Sequence, residues 1–92
     1  MQSYKEIFIE AKALVEKGWI QGPFRRKING QWFYSVCGAL AETTYRPTNL
    51  KESVTFFMKV NGIKSIMKWD NVTNRTKQEV LAAFDKAIAA SS

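Results

Sequence analysis

Histidine is absent from this chain of 92 residues. Its absence removes the usual general base at neutral pH, the serine–histidine and cysteine–histidine nucleophile pairs, and the commonest zinc ligand. Cysteine occurs once, as Cys37, so no disulfide can close within the chain and nothing calls for an oxidising compartment. A cytoplasmic location is the default expectation. Long apolar runs are missing as well. Residues 1–17 alternate charged with apolar side chains, which suits neither the apolar core of a secretory signal nor a membrane span of about 20 residues. No membrane association is expected. Acidic residues are few, 8 against 14 lysines and arginines, so the chain carries a net charge of +6.

The excess positive charge is concentrated in the middle. Between Arg25 and Lys77 stand Arg25, Arg26, Lys27, Arg46, Lys51, Lys59, Lys64, Lys68, Arg75 and Lys77, opposed only by Glu42, Glu52 and Asp70. Such a basic centre predicts an acidic partner, provided that folding gathers these cations into one surface. A hydrophobic fraction of 46% and an aromatic fraction of 13% are too apolar for a disordered segment, and the length suits a single globular domain over residues 1–92.

Local signals divide the chain. Ser3-Tyr4-Lys5-Glu6 has the capping-box pattern, and Ile7, Ala11, Leu14 and Val15 follow at helical spacing, so a helix is expected to end near Lys17 with Gly18 in a left-handed turn. Asn29-Gly30 sits between two strand-like runs in residues 24–35. Both residues tolerate the positive φ of a type I′ turn, which predicts a β-hairpin; the alternative joins an extended segment to a helix that already includes Trp32 and Phe33. Ser35 to about Thr44 reads as a short helix of small residues, broken by Tyr45-Arg46-Pro47. Asn49 is the expected cap of the next helix, with Leu50, Val54, Phe57 and Met58 as its apolar stripe and Asn61-Gly62 closing it. Ile63 to Trp69 reads as irregular or extended. Thr76 and Glu79 form another capping box, opening a final helix whose core face carries Val80, Leu81, Phe84 and Ile88, with a fraying Ser91-Ser92 tail.

Few residues offer chemistry. Cys37 would be a nucleophile only if Arg25 or Arg26 stabilised its thiolate; beside Val36 and Gly38 it reads instead as a small buried residue. Asp70 and Asn71, with Thr73 and Asn74, could ligate a cation, yet short polar side chains ahead of a helix more commonly hold their own turn together, and the spaced carboxylates of a calcium loop are lacking. Glu42 and Asp70 are the one carboxylate pair that a glycosidase mechanism could use, and nothing in the sequence joins them. Gly22-Pro23 reads as a turn. No cofactor or metal site is expected, and the protein reads as non-enzymatic.

Arg25-Arg26-Lys27 followed by Trp32 and Tyr34 is the constellation with a mechanism, since cations can meet carboxylates or phosphates while a ring packs or stacks. Strand alternation places Phe33 on the face opposite Trp32 and Tyr34, so at least one of these rings belongs to the core. Lys64 and Lys68 would share a face only on a helix. Arg25, Arg26, Lys27, Trp32, Tyr34, Lys64 and Lys68 are therefore the candidate partner-binding residues. A bland alternative is a solvated basic surface around an aromatic core.

Trp19, Gln21 and Gly22, then Gly38-Ala39-Leu40, then Trp69-Asp70-Asn71 with Arg75-Thr76 opening a helix, give the chain a resemblance from Trp19 to Ile88. It resembles a family of short uncharacterised proteins from bacteria and their phages, which has no established activity. The chain departs from that pattern at Ser35, where the family usually has its cysteine, and in reading Trp-Asp-Asn for Trp-Asn-Asp. The resemblance implies kinship of fold. By family analogy it also suggests a phage-type inhibitor of host machinery.

The expectation is an α+β domain, predominantly α, of about four helices and one small β-hairpin at the edge, with the first and last helices packed on the 49–60 helix. Its expected role is docking a basic surface on an acidic protein. Binding of single-stranded or non-specific nucleic acid through residues 25–34 is the alternative, less favoured because no nucleic-acid motif is present.

Overall fold

In the computed structural model, which describes residues 3–44 and 47–91, the chain forms five helices and one hairpin. Helix α1 spans Tyr4–Lys17, strands β1 and β2 span Arg25–Ile28 and Gln31–Tyr34, and helices α2 to α5 span Val36–Thr43, Pro47–Asn61, Ile66–Asp70 and Lys77–Ala90. The mostly α, α+β expectation holds. The expected break at Tyr45-Arg46 and the basic residue Arg46 lie outside the described residues.

Caps explain where the helices begin. Ser3 Oγ accepts the Glu6 amide at the start of α1, Ser35 Oγ accepts the Gly38 amide at α2, and Thr76 and Glu79 complete a reciprocal capping box at α5. Two expectations fail at helix boundaries. α3 starts at Pro47, so Asn49 lies in its first turn instead of capping it, consistent with the suitability of proline for a first helical position. Residues 63–69 are not extended throughout: Ile66–Asp70 is a short helix, and its buried Ile66 holds it against the core. Asn61-Gly62 does close α3, with Gly62 at φ +66°.

Gly18 corrects a third expectation. Its backbone is extended, φ −173°, and glycine is needed for space: a Cβ there would stand 2.7 Å from the Phe33 ring. The hairpin is formed, not replaced by a turn into a helix. Asn29 at φ 50° and Gly30 at φ 82° make the two-residue turn, and the register pairs Arg25 with Tyr34, Arg26 with Phe33, Lys27 with Trp32 and Ile28 with Gln31.

One core cluster joins the elements. Phe8 of α1, Phe57 of α3 and Phe84 of α5 are fully buried and meet ring to ring, 6.1 Å between Phe8 and Phe57 and 5.0 Å between Phe57 and Phe84. Burial of each contributes about 1.5–3 kcal/mol. α5 packs on α3 as expected, whereas α1 lies chiefly against α5 and α2 and reaches α3 through its aromatic rings. The centre of the α5 face is Val80, Ala83, Phe84 and Ala87, with Leu81 and Ile88 only partly buried at its margins. Alanine at 83 and 87 lets the neighbouring helix approach closely.

Candidate binding surface

Asp70 decides what the Trp69-Asp70-Asn71 segment does. It ends α4 only 3% exposed, and each carboxylate oxygen accepts one bond: Oδ1 from the Trp19 indole at 3.0 Å, Oδ2 from the Val36 amide at 2.8 Å. Val36 is the first residue of α2, so the carboxylate also faces the positive end of that helix. Gln21 donates to the carbonyls of Asp70 and Val72, and Asn71 Oδ1 accepts the Gly22 amide at 2.8 Å. These polar side chains therefore do not hold their own turn; they tie together chain segments 34–51 residues apart. Gly22, at φ +104°, is a bonded member of this knot and not simply a turn.

Burial perturbs both titratable groups in and beside the knot. Burial raises the Asp70 pKa, against the opposing pull of the Val36 amide, the Trp19 indole and Arg75. Burial, then the charge of Asp70, pushes the Cys37 thiol up to about 11, so it stays protonated at neutral pH and is a poor nucleophile. Glu42 is exposed on α2 and bonded to Arg25, while both Asp70 oxygens are occupied; the two carboxylates do not face one cleft. No group of three or more acidic or cysteine side chains could hold a metal among the described residues.

The cations separate into engaged and available sets. Arg75 is engaged three ways, donating to the Trp69 carbonyl at 2.9 Å, pairing with Glu79 at 3.1 Å and lying 4.0 Å from the centre of the Trp69 ring. Lys77 donates to the Glu16 carbonyl. Arg25 pairs with Glu42 at 3.3 Å, both ends exposed. Arg26, Lys27, Lys51, Lys59, Lys64 and Lys68 are exposed and make no ion pair with a described residue.

These available cations do not make one continuous surface. Lys51 and Lys59 line a groove of about 520 Å³ with Tyr4, the first residue of α1, whereas the hairpin is bonded at the other end of that helix, Gln31 donating to the Lys17 carbonyl. The 14 residues of α1 separate them by about 21 Å. Lys64 precedes α4 and Lys68 lies within it, so the pair does not share a helical face. The expectation of a single basic surface is thus corrected. Helix packing, which the sequence spacing of the cations does not report, sets them apart.

The hairpin keeps its own cluster. Every residue of β1 is exposed. Across the strands, Trp32 is 41% exposed, with the Arg25 guanidinium 4.7 Å and the Lys27 ammonium 5.9 Å from its ring centre. A cleft of about 510 Å³ beside it is lined by Leu14, Lys17, Gly30, Gln31, Trp32 and Tyr34. Tyr34 is the one candidate contact on the hairpin that fails, being 7% exposed and part of the core, because β2 passes under Gly18–Ile20 on its way to α2. Phe33 packs on Gly18.

Fold and surface together define a small helical domain with a cationic edge hairpin and an internal polar knot. The chain belongs to a family of unknown function, DUF6197, whose model matches residues 1–90. No curated protein and no solved structure matches it. No helix among the described residues is long and apolar enough to cross a membrane. Sequence reasoning passed over Trp19, Gln21 and Gly22 as functional or structural partners of Asp70. The signal was present, because the same two motifs, Trp19-Gln21-Gly22 and Trp69-Asp70-Asn71, carry the family resemblance and prove to be bonded to each other.

Proposed function

We propose that this is a non-enzymatic binding protein that docks its hairpin, through Arg25, Arg26, Lys27 and Trp32, on an acidic surface of another protein. The observation that carries the reading is the exposed Trp32 ring flanked by two cations on a strand with no buried residue. Tryptophan and arginine are enriched among the few residues that carry most of the binding energy in protein interfaces. Nucleic acid is the weaker alternative, since tracking a phosphate backbone needs an extended line of cations, and the Lys51 and Lys59 groove lies at the opposite end of α1 from the hairpin. In its narrowest form the role is that of a phage-type inhibitor of host machinery.

Affinity capture from a cell lysate tests the proposal. The wild type is expected to retain an acidic protein that the Arg25→Glu, Arg26→Glu double variant loses by at least about tenfold. Equal recovery by both proteins overturns the reading. A labelled single-stranded oligonucleotide bound at low salt, with affinity falling steeply as salt rises and lost in the double variant, would move the assignment to nucleic acid.

A further inference from the structure

Hydrogen-bond parity shows which edge of the hairpin is open. In an antiparallel pair, opposed residues alternate between those that exchange backbone bonds and those whose N–H and C=O point away from the partner strand. Ser35 N–H donates to Phe24 C=O across the two strands, whereas Tyr34 N–H donates outward to Gly18 C=O and Tyr34 C=O accepts outward from Ile20. Arg25, opposite Tyr34, therefore directs its own N–H and C=O away from β2, and Lys27, two residues on, does the same. The outer edge of β2 is taken up at Tyr34 by residues 18–20. The outer edge of β1 pairs with no described residue.

Charge selects what can pair there. A second copy of this chain would lay Arg25, Arg26 and Lys27 against the same three cations, and like charges on directly opposed strands repel. An acidic strand meets the opposite situation. Alternation further assigns the faces: Arg25 and Lys27 share the Trp32 face, while Phe24, Arg26 and Ile28 share the other, with Phe24 54% exposed and Ile28 also exposed.

We infer that the open edge of β1 accepts an extended acidic segment of the partner protein as an added antiparallel strand, with main-chain bonds at Arg25 and Lys27. Residues of that segment opposite Arg25 and Lys27 are acidic, and those opposite Phe24 and Ile28 are apolar. Main-chain bonds supply affinity and the alternating side chains supply selectivity, the general logic of strand addition. The inference rests on the acidic-partner reading above and specifies its geometry.

Titration with acetyl-Glu-Val-Glu-Val-Glu-Val-Glu-amide, followed by amide NMR and hydrogen exchange on the full chain, tests it. A block-order peptide of the same composition is the control. The expected result is protection of the Arg25 and Lys27 amides, with the block-order peptide at least about tenfold weaker. Lys27→Pro removes one outward N–H and breaks no bond to β2, so it should weaken binding about tenfold more than Lys27→Ala, which removes only the charge. Equal binding of both peptides, with Lys27→Pro matching Lys27→Ala, would overturn strand addition and leave docking by side chains standing. Protection of Arg25 and Lys27 in concentrated protein without peptide would place a second copy on the edge and overturn the inference. Loss of all acidic-peptide binding overturns it as well, and the capture experiment with the charge-reversal variant then decides the broader reading separately.

Discussion

Two tryptophans in this protein each have an arginine beside the ring, and the pairs serve opposite ends. At Trp69 the arginine is consumed: Arg75 lies 4.0 Å from the ring, bonds the Trp69 carbonyl, pairs with Glu79 and is itself largely covered. At Trp32 the ring and its cations stay accessible, with Arg25 at 4.7 Å and Lys27 at 5.9 Å on an exposed strand. The same pair of residue types thus builds structure at one site and leaves a contact surface at the other. What differs is the number of fixed neighbours, because a guanidinium whose donors are met internally has little left to offer a partner.

The largest test of this contrast is Asp70→Ala against Trp32→Ala. The first leaves two interior donors, the Trp19 indole and the Val36 amide, without an acceptor and is expected to cost about 4 kcal/mol in urea unfolding. Trp32→Ala should cost less than about 1 kcal/mol, given its exposure. Similar losses for the two would abolish the distinction between knot and surface.

Glycine substitutions sharpen the same comparison. A Cβ on Gly38 would stand 1.7 Å from the Phe24 carbonyl oxygen, a backbone atom that must move, so Gly38→Ala should cost about 3 kcal/mol. Gly30, at the hairpin tip, has nothing within 4 Å of such a Cβ, and only its φ of +82° opposes alanine. About 1 kcal/mol is expected there. Thermal unfolding of both variants would show whether the ranking holds.

Arginine removal should follow with smaller effects. Arg75→Ala is expected to lower stability by about 1–2 kcal/mol, and Arg25→Ala by at most about 0.5 kcal/mol, since its ion pair with Glu42 is exposed. In partner binding the order should invert. Chemical denaturation and the capture assay on the same two variants report both halves.

The smallest effect is on pH. The folded-state pKa of Asp70 is raised above its ordinary value of 3.8, so the folded protein holds that proton longer than the unfolded chain does. Its contribution is complete below 3.8 and is lost as pH climbs through the raised value. The stability difference between wild type and Asp70→Asn should therefore shrink with rising pH in that window and stay level above it. Glu79 behaves oppositely: its pKa is lowered, first by the Thr76 amide, so what it contributes is lost as pH falls. An Asp70 difference that grew with pH would contradict the burial argument.

Local chemistry made much of the architecture legible. Ser3, Ser35 and Thr76 cap helices because their hydroxyls satisfy amides a few residues away, and Asn29-Gly30 turns a hairpin because those two residues accept positive φ at little cost. The short Ile66–Asp70 helix was not legible, since five residues carry too little periodicity to declare themselves and its stability comes from tertiary contacts. The site was legible only in part. Arg25, Arg26, Lys27 and Trp32 could be singled out from composition and alternation, but the burial of Tyr34 and the inward role of Asp70 depend on partners between 14 and 51 residues away.

By itself the sequence determined the helical and hairpin elements, the absence of histidine chemistry and the excess of positive charge, all of which follow from residue identity and near-neighbour spacing. Only the tertiary structure decided which cations remain available. Packing α1 between two basic regions parts the Lys51 and Lys59 groove from the hairpin, and the meeting of two distant motifs turns Asp70 from a candidate ligand into an internal acceptor. Distances between residues far apart along a chain are set by how the elements pack, and pattern along one dimension does not fix them.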